Sequence, residues 1–253
     1  MDKIKHIIAT RFLCTDGKFG EKVLSKEFLD MGFRLISSYL IPSLENQTNK
    51  SFELVLLVHP KLNLGVYKRK LMSLSDKLNI QVVRYNKFDE YVSEAAKETE
   101  NLIITRIDYD DLVWNKAVED IQSRIGKAPL YIYGYNHGYM YVSGSKDMYA
   151  FHQEYRGNGT MSVFQSCIID TRDTELIGLH PYKWNHTRPF EVLDILGIDR
   201  SKVLFERDLT SNALVWVRHE NTMSGETPKG YFKTEVSLNK NEAKQVFGVA
   251  IPE

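Results

Sequence analysis

Apolar and polar positions give the two halves of this 253-residue chain different rhythms. In residues 1–112 short apolar runs alternate with amphipathic segments. Ile4–Phe12 reads as a first strand. Between about residues 25 and 40, Phe28, Leu29, Phe33, Ile36 and Leu40 recur at helical spacing, which predicts a helix with that face in the core. Pro42 and the polar run Glu45-Asn46-Gln47-Thr48-Asn49 close it off. Residues 52–58 are nearly continuously apolar, as expected of a strand buried on both faces. Residues 66–78 and 88–99 read as helices and 80–85 as a short strand. A further strand starts near Leu102 and ends in acidic residues. This alternation predicts an α/β fold with a mainly parallel central sheet flanked by helices. Ligands of such sheets sit beyond the carboxyl ends of the strands.

Residues 113–224 behave differently. Residues 129–135 and 138–142 alternate and are rich in tyrosine, and Asn136-His137-Gly138 between them predicts a hairpin. Gly157-Asn158-Gly159-Thr160 reads as a loop, 163–169 as a strand, 189–196 as a helix with Pro near its start, and 213–218 as a late strand. Residues 221–253 have few large apolar side chains, and 225–253 read as a C-terminal tail in which 239–246 can dock as a short helix. With no internal repeat and no low-complexity linker, one domain spanning 1–253 is the expectation, with a smaller β region in its second half.

The acidic segment, Leu102-Ile103-Ile104-Thr105-Arg106-Ile107-Asp108-Tyr109-Asp110-Asp111-Leu112, carries the most chemistry. A period of two sends Asp108 and Asp110 the same way from a strand end. Carboxylates this close repel, and burying them unpaired is costly. A hard cation such as Mg²⁺ or Mn²⁺ removes that cost and also takes phosphate oxygens. The competing reading is an acidic turn that caps the next helix.

Composition narrows the classes. Lys+Arg and Asp+Glu both number 33, so no global basic field favours nucleic acid, and a nucleic-acid acceptor is disfavoured. Cys14 and Cys167 lack metal-ligand spacing and read as free thiols of a reducing compartment. The opening residues have no signal-peptide core and no run approaches membrane length. A cytoplasmic location is expected, with peripheral contact at the inner face of a membrane left open.

Three segments in order carry a family resemblance. They are Thr10-Arg11-Phe12 followed by Ile41-Pro42-Ser43-Leu44-Glu45-Asn46-Gln47-Thr48 and Phe52-Glu53-Leu54-Val55-Leu56-Leu57-Val58; then Thr105-Arg106-Ile107-Asp108-Tyr109-Asp110-Asp111; then Val217-Arg218-His219-Glu220-Asn221-Thr222-Met223-Ser224. The chain resembles the GT-A class of nucleotide-sugar glycosyltransferases and, within it, rhamnosyltransferase-like sequences. The resemblance implies a single Rossmann-like GT-A domain: residues 1–112 bind a nucleotide-diphosphate sugar, and 113–224 face a hydroxyl-bearing acceptor such as a glycan or lipid-linked glycan. It makes Asp110 the leading ligand of Mn²⁺ or Mg²⁺, puts Asp108 on the ribose or the metal, and adds Asp111 and His219 to the metal shell. Thr10, Arg11, Arg84 and Arg106, at or near strand ends, are candidates to meet phosphate or base, with internal pairing to the aspartates the alternative for Arg106.

The general base of an inverting transfer falls to Glu191, at a helix start, with Asp170 and Asp173 as competitors. Glu191 is followed by Val where relatives carry an Asp, and Val58-His59-Pro60 replaces the Asp that many relatives have after the second strand. Two other classes remain: a non-catalytic binder of nucleotide sugars or glycans on the same fold, and a nucleotidyltransferase. The latter is weakened by the absence of a Gly-rich phosphate loop after the first strand.

Overall fold

The computed structural model describes residues 3–14, 20–142, 148–152, 164–183, 189–218 and 240–249. The first half builds β1 (Ile4–Phe12), α1 (Lys26–Ser38), α2 (Leu40–Glu45), β2 (Glu53–Val58), α3 (Leu64–Met72), β3 (Ile80–Arg84), α4 (Phe88–Lys97) and β4 (Asn101–Arg106). The chain continues through β5 (Leu112–Val113), α5 (Ala117–Gln122), β6 (Leu130–Val142), β7 (Met148–His152), β8 (Gln165–Asp170), α6 (Pro189–Ile195), β9 (Val203–Arg218) and α7 (Lys240–Phe247). The described strands form one sheet in the order β3-β2-β1-β4-β8-β6-β9-β5, with β7 paired to β6. Strands β3, β2, β1 and β4 are mutually parallel, as the alternating pattern predicts. β8 then runs antiparallel to both β4 and β6, and β6 runs parallel to β9.

The pleat divides the core. Ile8, Phe12, Leu54, Leu56 and Ile103 face α1, α2 and α5, where they meet Phe33, Ile36, Leu44 and Ile121. Ile7, Ala9, Val55, Leu57 and Ile104 face the other way, against Phe88, Val92 and Leu193 of α4 and α6. All six residues of β2 are buried, which is why the five after Glu53 are apolar without alternation; the Glu53 carboxylate accepts from Lys5 Nζ and the Tyr91 hydroxyl. Ser25 caps α1 by accepting from the Phe28 N–H at 3.4 Å. Pro42 does not end this helix as expected. The break falls at Tyr39, and Pro42 sits in the first turn of α2, where an N–H is not needed.

The expected hairpin between 129–135 and 138–142 is a single strand, β6, with an irregularity at Tyr135–Gly138. β9 supplies 16 residues and pairs along both parts, so the turn-like Asn136-His137-Gly138 becomes a bulge. The hairpin partner is β7 instead. The tail helix α7 docks as expected, with Ala243 and Phe247 buried against Leu35, Tyr139, Val215 and Val217. Gly248 behind it holds φ +74 and lies so close to Asn46 that a Cβ there would come within 2.5 Å of the Asn46 Cβ. Both cysteines are buried, and neither takes part in a disulfide among the described residues. Among the described residues no helix is long and apolar enough to cross a membrane.

Candidate active site

Sheet order fixes where a ligand can sit. From β1 the chain moves to β2 and β3, then returns to place β4 on the other side of β1. The carboxyl ends of β1 and β4 therefore flank a topological switch point, the usual crevice of such sheets. Ala9 pairs with Arg106 in this ladder. Its carbonyl accepts both the Ile107 N–H at 3.2 Å and the Tyr182 hydroxyl at 2.9 Å. Immediately after β1, Leu13 adopts φ +49, a left-handed conformation uncommon for a side chain of this size. It packs tightly on Gly32 of α1 and turns the chain away just past Arg11 and Phe12.

The acidic loop is anchored by the residue between its first two carboxylates. Tyr109 packs edge-on against Phe12 at 5.6 Å, leaving Asp108 and Asp110 half-buried on either side. The Asp111 N–H closes a turn onto the Asp108 carbonyl at 3.2 Å. Asp111 itself is 1% exposed. One of its oxygens accepts the Val217 N–H at 3.0 Å and the other, Oδ2, has no partner. Burial, then the charges of Asp110 and Asp108, push its carboxyl well above the usual range against the pull of Val217 N–H and Arg106. The helix-capping alternative fails here: the loop leads into β5, and α5 starts only at Ala117 with Lys116 at its cap.

Beside the aspartates lies a cationic half. Arg11 and Arg106 each place Nη2 3.8 Å from the same oxygen, Asp108 Oδ1. Their guanidinium carbons stand 5.6 and 5.4 Å from the centre of the Tyr182 ring. Burial works against the charge of Arg11, but Asp108 and the surrounding groups outweigh it and raise its pKa. Thr10 Oγ1, Arg11 Nε and Arg106 Nε are buried without partners. Four of the five such side-chain atoms among the described residues thus belong to this strand-end region: these three and Asp111 Oδ2. Tyr182 escaped the sequence reading because its segment has neither periodicity nor a motif. Its loop is held by His180, whose Nε2 lies 2.8 Å from Asp89 Oδ1 of α4, and by Lys183, 2.5 Å from Asp89 Oδ2.

The other candidates lie apart. Arg84 is exposed and donates to the Pro60 carbonyl at 3.1 Å. His59 is buried, and its Nδ1 accepts the Lys61 N–H at 3.1 Å. Asp170 pairs in register with Asn101, at the opposite end of β4 from Arg106; at ~3.3 Å per residue that is roughly 17 Å away. There Asp170 binds Arg172 at 2.6 Å and Asp173 binds Lys202 at 2.8 Å. The structure does not bring either to the acidic loop. Glu191 is exposed in the first turn of α6. Its neighbour Phe190 packs on Phe205 of β9, which the sheet order sets three strands from β4. His219 lies outside the described residues. Among the described residues no three His, Cys, Asp or Glu side chains form a ready-made metal cage. The donors still suit a hard cation. The carboxylates of Asp108 and Asp110 and the unpartnered Asp111 oxygen are all oxygen ligands, and Mg²⁺ commonly takes one or two carboxylates together with substrate phosphates.

With this geometry in place, sequence comparison decides the family. The model described as "Putative rhamnosyl transferase" matches residues 21–188, well over half of the chain. The chain belongs to this family. It is thus a member of a glycosyltransferase family, on the α/β fold that the sequence predicts. The matched region contains the acidic loop, Arg106 and Tyr182, whereas Thr10, Arg11, Glu191 and His219 lie outside it. A comparison with curated proteins gave no match. Among solved structures, residues 1–349 of TarS from S. aureus in complex with UDP-GlcNAc are similar at 14% identity and TM-score 0.46, over 89% of this chain and 61% of that one. This chain therefore spans less than two thirds of the TarS fragment. HddC from Yersinia pseudotuberculosis is similar at 15% identity and TM-score 0.41, over 85% and 92% of the two chains. At these scores the likenesses carry no inference about substrate.

Proposed function

We propose that the protein transfers a hexose or deoxyhexose from a nucleotide-diphosphate sugar to a hydroxyl acceptor, with a divalent cation, Mn²⁺ or Mg²⁺, held at the acidic loop. One observation carries the reading. A buried aspartate with an unpartnered oxygen stands beside two half-buried aspartates at the switch point of a parallel sheet. Without a ligand this arrangement is costly; a cation shared with a diphosphate relieves it. Asp108, Asp110 and the unpartnered Asp111 oxygen would hold such a cation, which would supply stabilisation of negative charge on the leaving diphosphate.

The residues divide the work. Asp110 and Asp108 face the donor, and Asp111 ties the loop to β9, so that the nucleotide half and the end of the long late strand keep one geometry. Thr10 and Arg11 line the donor side from β1, and Arg106 backs them from β4. Asp170 and Asp173 take no part, because they close ion pairs at the opposite end of β4. Glu191 is the base candidate that remains, and its test is loss of transfer in Glu191→Gln with donor binding intact.

The reading is tested by thermal-shift titration with a panel of nucleotide-diphosphate sugars, each with Mn²⁺, with Mg²⁺ and with chelator. Metal-dependent stabilisation by one donor, followed by transfer to an acceptor that Asp110→Ala abolishes, is the expected result. Full transfer by Asp110→Ala sinks the metal role. Tight donor binding without transfer or hydrolysis marks a non-catalytic binder, and pyrophosphate release from a nucleoside triphosphate marks a nucleotidyltransferase.

A further inference from the structure

We propose that α3, the helix between β2 and β3, docks on a bilayer that bears anionic lipid. Lys68 and Arg69 meet the headgroups, and Val66 and Met72 enter between them. This surface lies outside the acidic loop and does not depend on sugar transfer.

Helices α1 and α3 pack into the same side of the core but spend their faces differently. α1 buries Leu29, Gly32, Phe33, Leu35 and Ile36, whereas α3 buries Leu71 and only partly covers Leu64 and Tyr67. Leu64, Tyr67 and Leu71 recur at spacings of three and four, so they share the side that faces the core. Val66, Arg69 and Met72, three apart, make the opposite stripe, and Lys68 and Lys70 flank it. Val66 is 62% exposed and Met72 45%. Apolar side chains set in a basic rim are the composition of a helix that lies in a membrane interface. The helix dipole favours cations in a last turn, which accounts for Arg69 and Lys70. It gives no reason to hold Val66 and Met72 in water.

Charge selects the occupant. The chain as a whole is neutral, yet residues 60–79 hold Lys61, Lys68, Arg69, Lys70 and Lys77 against Asp76 alone. Acids from other segments answer three of these cations: Glu21 pairs with Lys61, Asp30 stands 3.9 Å from Lys70, and Glu45 3.1 Å from Lys77. Lys68 and Arg69 close no ion pair among the described residues, and juxtaposed cations of this kind are drawn to anionic headgroups. Ile195 of α6 is more exposed, at 82%, but beside it Asp194 and Arg200 neutralise one another. α3 packs on β3, the last described strand at that edge of the sheet, so its outer stripe lies at the margin of the molecule. At the carboxyl end of β3, Arg84 donates to the Pro60 carbonyl, and the partly exposed Tyr85 meets the Tyr182 ring of the crevice at 6.3 Å. Tyrosine suits the headgroup level. On the transferase reading, a bilayer seated on α3 keeps the crevice close to acceptors carried on lipid.

The test is flotation of the full chain with phosphatidylcholine vesicles, with and without phosphatidylglycerol, at low and high salt and without donor or metal. Wild type is expected to bind the anionic vesicles roughly tenfold or more tightly than the zwitterionic ones, and salt weakens that binding. Lys68→Gln with Arg69→Gln lowers it by roughly tenfold or more. Val66→Ser with Met72→Ser lowers it severalfold while the melting temperature stays near wild type, because both side chains point away from the core. Ile195→Ser leaves binding unchanged. Equal binding of wild type to both vesicles, or binding that survives either paired substitution, overturns the proposal. Heparin binding that needs Lys68 and Arg69, with anionic vesicles left unbound, also overturns it and makes the partner a soluble polyanion. Anionic-vesicle binding through α3 in a protein that transfers no sugar leaves this surface standing and removes the transferase reading. Sugar transfer by a protein that ignores vesicles does the reverse.

Discussion

At the Asn101 end of β4, Asp170 receives both Nε and Nη2 of Arg172 at 2.8 and 2.6 Å, and Lys202 bridges Asp173 and Glu175 at 2.8 and 2.9 Å. At the Arg106 end, the same residue types stand 3.8 Å apart, and four buried polar atoms in the region have no partner. Both ends are strand termini with acids and bases in close supply, yet only one closes its contacts internally. Polar groups that satisfy one another serve the fold; buried groups left unsatisfied are held for something that arrives later. The contrast separates stabilising charges from candidate functional ones more sharply than their residue types do.

The largest break of that contrast is expected from Asp110→Ala, which lowers transfer roughly a thousandfold, as for loss of a group that stabilises transition-state charge, while melting stays near wild type. A large fall in melting temperature with transfer preserved would put Asp110 on the structural side.

Acid sharpens the closed side. His6 is buried, with Nε2 2.9 Å from Thr105 Oγ1 and Nδ1 3.2 Å from Gln122 Nε2, and burial lowers its pKa from 6.5 to about 3. The unfolded chain therefore binds a proton between those values and the folded chain does not. Stability from this group is complete above pH 6.5 and falls as the pH drops toward about 3, by at most ~1.4 kcal/mol per unit. Urea melts between pH 7 and 4 should show this slope, and His6→Gln should flatten it; an unchanged slope refutes the assignment.

Asp111 tests the border between the two kinds. Asp111→Asn can keep an acceptor for the Val217 N–H and removes a buried like charge, so unfolding free energy is expected to rise while transfer falls. A variant both more stable and fully active would return Asp111 to the fold alone. The smallest effect belongs to Asp170→Asn: loss of one surface ion pair costs roughly 0.5 kcal/mol or less, with transfer unchanged. A large loss of transfer there would erase the distinction between the two ends.

Much of the fold was legible in the chain. The apolar run of β2 and the helical spacing of α1 are local signals that burial alone explains. The acidic loop was legible too, because three carboxylates at the end of an apolar strand are costly in almost any fold. Tyr182 was not. It sits in an irregular loop, and its role comes from contact with residues 76 and 171 positions earlier in the chain. The misplaced hairpin has a similar cause: Asn136-His137-Gly138 has turn composition, and only a 16-residue neighbouring strand turns it into a bulge.

Strand direction draws the boundary most clearly. A strand over residues 163–169 with Asp170 at its end is readable from the chain, and an acid after a strand suggests a strand-end site. β8 enters the sheet antiparallel to β4, however, so its carboxyl end points away from the crevice. Side-chain pattern records which face of a strand is buried, because burial acts on each residue. It does not record which way the strand runs, because that depends on hydrogen bonds to a partner elsewhere in the chain. The sequence by itself determined the elements, their faces and the acidic loop. The tertiary structure alone decided which charged residues share an end of the sheet with that loop.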